Sequence, residues 1–295
     1  MISTGFTARR IQLLQTWIEG IVANCLSAME KDGPPADLVQ SFALPIPSMV
    51  ICELLGVPYA DRDGFQRRSV TRFDGTLTMD VRTAAYDASL KYMAELVLRQ
   101  RADPDESLLG TLVREYGDQI DDRELIGIGD LILLGGHETT ANMLGLGTLF
   151  LLENSRYAEM VRNGENVEGV VEELLRYLSV VQIGVPRIAR KDAILADQHI
   201  RRGDRLLCSF PSANHDDAKI PGASVFDPTR RAAHLAFGHG IHYCIGAPLA
   251  RMEIKIALPA LLNRFPGLRL DVAPEAVDFR PSSVFYGLRS LPLTW

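Results

Sequence analysis

The sequence predicts a mainly helical protein with small β-sheets, and three observations carry that prediction. Most of the first 178 residues repeat apolar side chains at i, i+3 and i+4, the spacing of one helix face. One run, from Asp122 to about Glu153, is apolar on nearly every side, as in a helix buried through a domain centre. After Leu178 the texture changes to short strand-like pieces separated by Gly, Pro and Asp.

Thr7 to Asp32 reads as an amphipathic helix, with Ile11, Leu14, Trp17, Ile18, Ile21, Cys25, Leu26 and Met29 on its stripe. Gly33-Pro34-Pro35 ends it. A second helical run extends from Leu38 through Ile46-Pro47 to Leu55, closed by Gly56. Asp61 to Arg72 and Val81 to Arg101 follow, parted by a polar turn at Asp74-Gly75, and Ser107 to Tyr116 is a short helix. The run from Asp122 measures roughly 45 Å at 1.5 Å per residue. Arg156 to Arg162 and Val167 to Leu178 are shorter helices. Pro186 to Arg190, Ala193 to Leu195, His199-Ile200 and Arg205 to Cys208 read as strands, and Pro211 to Arg231 as coil. Ala247 to Phe265 is a last amphipathic helix, with a C-terminal strand pair around Ser283 to Trp295. No internal repeat or linker divides the chain, so a single domain over residues 1–295 is expected.

Nearly half of the 295 residues are hydrophobic, enough for a sizeable core, and the net charge of −6 argues against a nucleic-acid partner. Cys25, Cys52, Cys208 and Cys244 are far apart, matching neither a zinc pattern nor a disulfide framework, so a reducing compartment is expected. The longest uncharged apolar stretch, Thr139 to Leu152, is shorter than the ~20 residues a membrane helix needs. With an amphipathic pattern carrying Arg9 and Arg10 near the start, this predicts a cytoplasmic protein with no membrane anchor.

Three motifs carry chemistry. The first runs from Phe237 to Arg251, where Gly238, Gly240 and Gly246 surround Cys244 immediately before a helix. Glycines there allow positive φ and close approach of a bulky group, and Pro248 suits a first helical turn. A sulfur among the free N–H groups of a helix N-terminus is expected to ionise more readily. Such a thiolate serves as a nucleophile or a metal ligand, while a buried cysteine elsewhere packs as a small hydrophobe.

The second motif is Gly135-Gly136-His137-Glu138-Thr139-Thr140, inside the long helix. Two glycines cost about 1 kcal/mol each relative to Ala there. A local widening that frees carbonyls for water or a ligand would tolerate that cost. Close helix–helix packing, with Glu138 in a salt bridge, is the plainer account. The third motif is Glu173-Leu174-Leu175-Arg176, whose charges share a helix face at i, i+3. Taken alone it would be an ordinary exposed ion pair.

Phe-Gly-x-Gly-x-His-x-Cys-x-Gly at Phe237–Gly246 resembles, at every fixed position, the cysteine loop of the cytochrome P-450 family of haem-thiolate monooxygenases. Gly-Gly-His-Glu-Thr resembles that family's oxygen groove, and Glu-Leu-Leu-Arg falls between the two in family order. The likeness covers essentially the whole chain and is nearest to soluble actinobacterial-type members. It implies the P-450 fold and haem b, with Cys244 as proximal iron ligand, Phe237 beside the sulfur and His242 reaching a propionate. Gly238, Gly246 and Ala250 would join the cofactor-binding set, and Arg187, in Val185-Pro186-Arg187, would bind a propionate. Gly135 and Gly136 would border dioxygen, Thr139 would hold reduced oxygen and its water, and Glu138 would carry protons from solvent. Glu173 and Arg176 would tie their helix to the meander before the cysteine loop. Val225 replaces the arginine many relatives carry there, leaving Arg230 or His234 as third member of that network.

The resemblance starts at the end of the family's third helix, near Thr4–Arg10, so about the first quarter of a usual member is expected to be missing. The implied activity is insertion of one atom of O2 into an apolar small molecule. Its electrons would come from a ferredoxin and its NAD(P)H-dependent reductase. Peroxygenase or nitric oxide reductase chemistry, and a non-catalytic interaction protein, are the alternatives. Retention of Glu138 and Thr139 speaks against the peroxygenase.

Overall fold

The computed structural model describes residues 2–295 apart from Ile183, Val185, Ala232 and 281–284. Val185, and Ser283 at the expected start of the C-terminal strand pair, therefore lie outside the described residues.

The helices form where the periodicity puts them. Helix α1 spans Ala8–Asp32, and the Thr7 hydroxyl accepts the Arg10 N–H as its cap. After strand β1 (Ala36–Asp37), a π-turn over Val39–Ala43 leads into α2 (Pro45–Leu55), where left-handed Gly56 (φ 75°) stops the helix. Helices α3 (Arg62–Phe73) and α4 (Met79–Ala102) pack as a hairpin, followed by α5 (Leu108–Tyr116).

Helix α6 (Asp122–Glu153) opens on a reciprocal cap between Asp121 and Glu124. Every residue from Thr140 to Leu149 is buried, as its all-round apolar surface requires. The first half departs from that expectation, because Leu131 is 61% exposed and only one face packs inward. Helices α7 (Ser155–Arg162) and α8 (Val167–Leu178) come next.

Two small antiparallel ladders follow: β2 (Arg187–Ile188) with β5 (Arg205–Leu206), and β3 (Ala193–Leu195) with β4 (Gln198–Ile200). The expected coil from Pro211 is interrupted by α9 (Phe210–Asn214), nucleated by a Ser209 cap that polarity alone concealed. Helix α10 (Ala247–Arg264) carries β6 (Arg269–Leu270) behind it.

The C-terminal pairing differs from the expected simple pair. Strand β7 (Asp278–Phe279) pairs with β8 (Leu288–Ser290), whereas β9 (Pro292–Thr294) lies between β1 and β6. Leu293 faces Ala36 on one side and Leu270 on the other and is fully buried. A two-residue strand such as β1 has no period to read, so only this long-range pairing defines it.

One apolar cluster connects α1, α2, α6, α8, α10 and β9, from Ile11 to Leu293. At its centre Leu174 of α8 and Leu258 of α10 pack beside Gly147 of α6, each 3.6 Å from where a Cβ would stand. The three helices bearing the chemical motifs thus meet in one core.

Candidate functional site

Cys244 sits where the chain turns into α10. Its N–H donates to the Phe237 carbonyl (2.9 Å), closing a loop through a 3-10 turn at Gly240–His242. Gly238 (φ 72°) and Gly240 (φ 79°) hold left-handed conformations that a side chain would strain. Gly246 does not; a Cβ there would contact the Cys244 sulfur at 3.9 Å.

The backbone N–H groups of Gly246 and Ala247, at the start of α10, favour the ionised form of the sulfur. Burial nevertheless outweighs both these groups and the Arg251 charge, which also favours the thiolate, and raises the Cys244 pKa. The expectation of a thiol acidified by the helix terminus is therefore corrected. In the protein alone, desolvation dominates, and a bound cation would be needed to ionise it outright.

Phe237 is half-buried, with the Arg251 guanidinium 4.5 Å from its ring centroid. His242 is exposed on the 3-10 turn, Arg187 is exposed on β2, and Ala250 is partly buried in the first turn of α10.

The cysteine loop is tied to α8 by a buried network. Arg176, 1% exposed, donates to both Glu173 oxygens (2.8 and 2.7 Å) and to the carbonyls of Asn214 and Ala223 (2.7 and 2.8 Å). A buried ion pair is tolerated only when its remaining polar atoms are satisfied in this way. Burial alone would raise the Glu173 pKa, but the bonds from Arg176, the Asp227 N–H and Arg230 lower it. Arg230 is thus the third member of the network (Nε to Oε1, 3.2 Å). The other candidate, His234, pairs with Glu172 instead. Asn214 extends the link by accepting the Leu235 N–H (2.7 Å).

On α6 the expected opening at Gly135-Gly136 is absent, and the helix runs unbroken. The two glycines divide the two readings between them. A Cβ at Gly136 would stand 2.2 Å from Ile51 Cδ1, so this glycine permits close packing of α2. A Cβ at Gly135 would meet nothing within 4 Å. The Thr139 hydroxyl donates to the Gly135 carbonyl (2.6 Å) and so occupies the acceptor expected to be free.

Glu138 is 1% exposed, and its Oε2 receives Arg280 Nη1 (2.6 Å) while Oε1 is buried without a partner. The salt bridge of the plainer account is therefore present. His137, given no role from sequence, is fully buried with Nδ1 2.9 Å from the Ser69 hydroxyl. Burial lowers its pKa against the opposing charge of Glu138, which keeps the ring neutral.

Sequence reasoning missed Arg280, Arg251 and Glu172. Arg280 lies 142 residues from its partner, with no local signal. Arg251 closes the cysteine-loop stretch and Glu172 stands one residue before Glu173-Leu174-Leu175-Arg176, so neither held a fixed motif position.

A half-buried sulfur at a helix start, flanked by a glycine and by exposed Ile241 and Ile245, suits a soft-ligand iron inside a flat apolar macrocycle. Fold and cysteine loop together define a haem-thiolate protein.

The comparisons make the class definite. The family model for cytochrome P450 matches residues 97–279. Cytochrome P450 165B3 of Amycolatopsis orientalis is 40% identical over all of this chain, which spans 74% of that protein. The LnmA cytochrome P450 hydroxylase from leinamycin biosynthesis in Streptomyces atroolivaceus superposes with a TM-score of 0.93 at 39% identity, covering 100% of this chain and 77% of its own. OxyC, a cytochrome P450 implicated in oxidative C–C coupling during vancomycin biosynthesis, gives 0.91 at 42% identity, covering 100% and 75%. The chain belongs to the cytochrome P450 family of haem b monooxygenases. Among the described residues, no helix is long and apolar enough to cross a membrane.

Proposed function

We propose that residues 1–295 act as one haem domain that inserts one atom of O2 into an apolar small molecule, using electrons from a ferredoxin and its NAD(P)H-dependent reductase in the cytoplasm. Cys244 carries this reading, as a cysteine placed where the glycine-bounded loop enters core helix α10. Bound haem supplies the activation of dioxygen, which thiolate donation favours.

The chain's own residues supply position and protons. The Phe237 carbonyl, which accepts the Cys244 N–H, and the Ala247 N–H, which donates to the Cys244 carbonyl, fix the backbone that carries the sulfur. Arg187 and His242 are the exposed basic groups for the two propionates. Gly135 leaves space beside α6, and the Thr139 oxygen, while donating to Gly135, can accept a hydrogen bond from water. Glu138 has one oxygen anchored by Arg280 and one able to take and return a proton.

Product formed per electron consumed tests these roles, measured with ferredoxin and oxygen, with peroxide, and with nitric oxide plus nicotinamide. Ferredoxin and oxygen should give the highest turnover. Thr139→Ala should divert electrons into hydrogen peroxide, and Glu138→Gln should slow turnover on the ~10²–10⁴-fold scale of general acid–base catalysis. Wild-type coupling in a folded Thr139→Ala protein contradicts the proton role. Preferential turnover with peroxide or nitric oxide contradicts the monooxygenase reading.

A further inference from the structure

Glu172 adjoins Glu173 in sequence but turns to a different partner. Its carboxylate accepts both Nε and Nη2 of Arg251 (2.6 and 2.8 Å), while His234 Nε2 lies 3.2 Å from Oε2. Burial alone would raise the Glu172 pKa, but the bonds from His234 and Arg251 hold it at about 2, so the pair is ionised at neutral pH. Arg251 reaches the cysteine loop at two further points. Its guanidinium lies over Phe237, 4.5 Å from the ring centroid, and its Nη1 is 3.2 Å from the Tyr243 hydroxyl. Phe237 accepts the Cys244 N–H and Tyr243 precedes it, so one arginine grips the loop at both edges of the sulfur.

We propose that Arg251 is a positioning residue that sets the electron richness of the Cys244 sulfur, with Glu172 as its opposing charge. The inference rests on Cys244 being the iron ligand. A fixed cation near the sulfur favours the more negative, reduced state of a haem-thiolate centre. The carboxylate beyond it partly cancels that field. Arginine suits the task because one planar group can meet a carboxylate with two bonds and cover an aromatic face at once.

An account in which the pair only clamps the loop predicts something different from an electrostatic one. Loosening the loop from either side would move the haem potential in one direction. Electrostatics requires opposite signs. Arg251→Gln removes the cation and should lower the one-electron reduction constant about threefold, roughly 30 mV at 59 mV per decade. That is the scale of a part-exposed charge. Glu172→Gln leaves Arg251 unopposed and should raise the constant. Arg251→Lys, which keeps the charge but loses the fork, should stay within about twofold of wild type even if it melts earlier.

The experiment is spectroelectrochemical titration of the haem-loaded wild type and three variants, with the reduced carbon monoxide spectrum of each. Opposite shifts for Arg251→Gln and Glu172→Gln, with a thiolate band throughout, support the proposal. Shifts of the same sign, no shift, or Arg251→Lys matching Arg251→Gln overturn it while leaving the ligand assignment standing. A haem-loaded wild type without the thiolate band overturns the assignment of Cys244 itself, and the tuning role falls with it.

Discussion

Alanine at Gly135 and at Gly136 separates packing from an open face on adjacent positions of one helix. Both substitutions gain the same helix propensity, about 1 kcal/mol over glycine. Their surroundings differ. At Gly136 the added carbon would stand 2.2 Å from Ile51 Cδ1 and 2.7 Å from Cγ1, while at Gly135 it would meet nothing within 4 Å. Overpacking costs about 1–3 kcal/mol, so the common propensity term cancels and the two variants should differ by that amount. At roughly 2–4 °C per kcal/mol for chains somewhat shorter than this one, the gap is a few degrees in Tm. Urea melts of haem-loaded protein measure it. Ile51→Val removes the nearest carbon and should recover much of the loss in the Gly136→Ala background, a coupling absent with Gly135→Ala. The cost at Gly135 should appear instead in weaker carbon monoxide binding. Equal stability of the two alanine variants, or no coupling to Ile51, refutes the division between a packing glycine and an open one.

Two further outcomes follow from buried charge. Arg280→Met strands the buried Glu138 carboxylate and should destabilise by about 3 kcal/mol, the low end for a broken buried pair because Arg280 is partly exposed. Adding Glu138→Gln should restore most of that loss in the same urea melts. Glu253 of α10 is buried, with Oε2 lacking a partner, and burial raises its pKa well above the ordinary carboxylate value. Because the unfolded chain ionises this group near pH 4.5 and the folded chain resists, wild-type stability should fall as pH rises above that point. Glu253→Gln should therefore be the more stable protein at pH 7, with the advantage vanishing below about pH 4.5, as paired melts at the two pH values would show.

The helices were legible because a 3.6-residue period over twelve or more residues is a strong signal, and α8 matches its expected bounds at Val167 and Leu178. The sheets were less so. Strands β1, β6 and β7 have two residues each, and long-range pairing alone defines them. Within the site, Cys244, Glu173 and Arg176 were visible because each motif is local. Spacing suggested that Glu173 and Arg176 paired, and the structure added Arg230 and four backbone groups that make burial possible. What sequence reasoning could not weigh was competition between effects. It saw N–H groups beside Cys244 and expected an acidic thiol, whereas burial is the larger influence. It weighed a widened groove against close packing for the two glycines together, whereas Ile51 claims the Cβ space of one and that of the other is open.

The assignment of Cys244 as the iron ligand bears the most weight, and the reduced carbon monoxide spectrum of purified, haem-loaded protein tests it most directly. The wild type should show the red-shifted band of a thiolate-ligated haem, and Cys244→Ser should lose that band while the other three cysteines remain in place. A haem-loaded wild type without the band, or a Cys244→Ser protein that keeps it, contradicts the assignment.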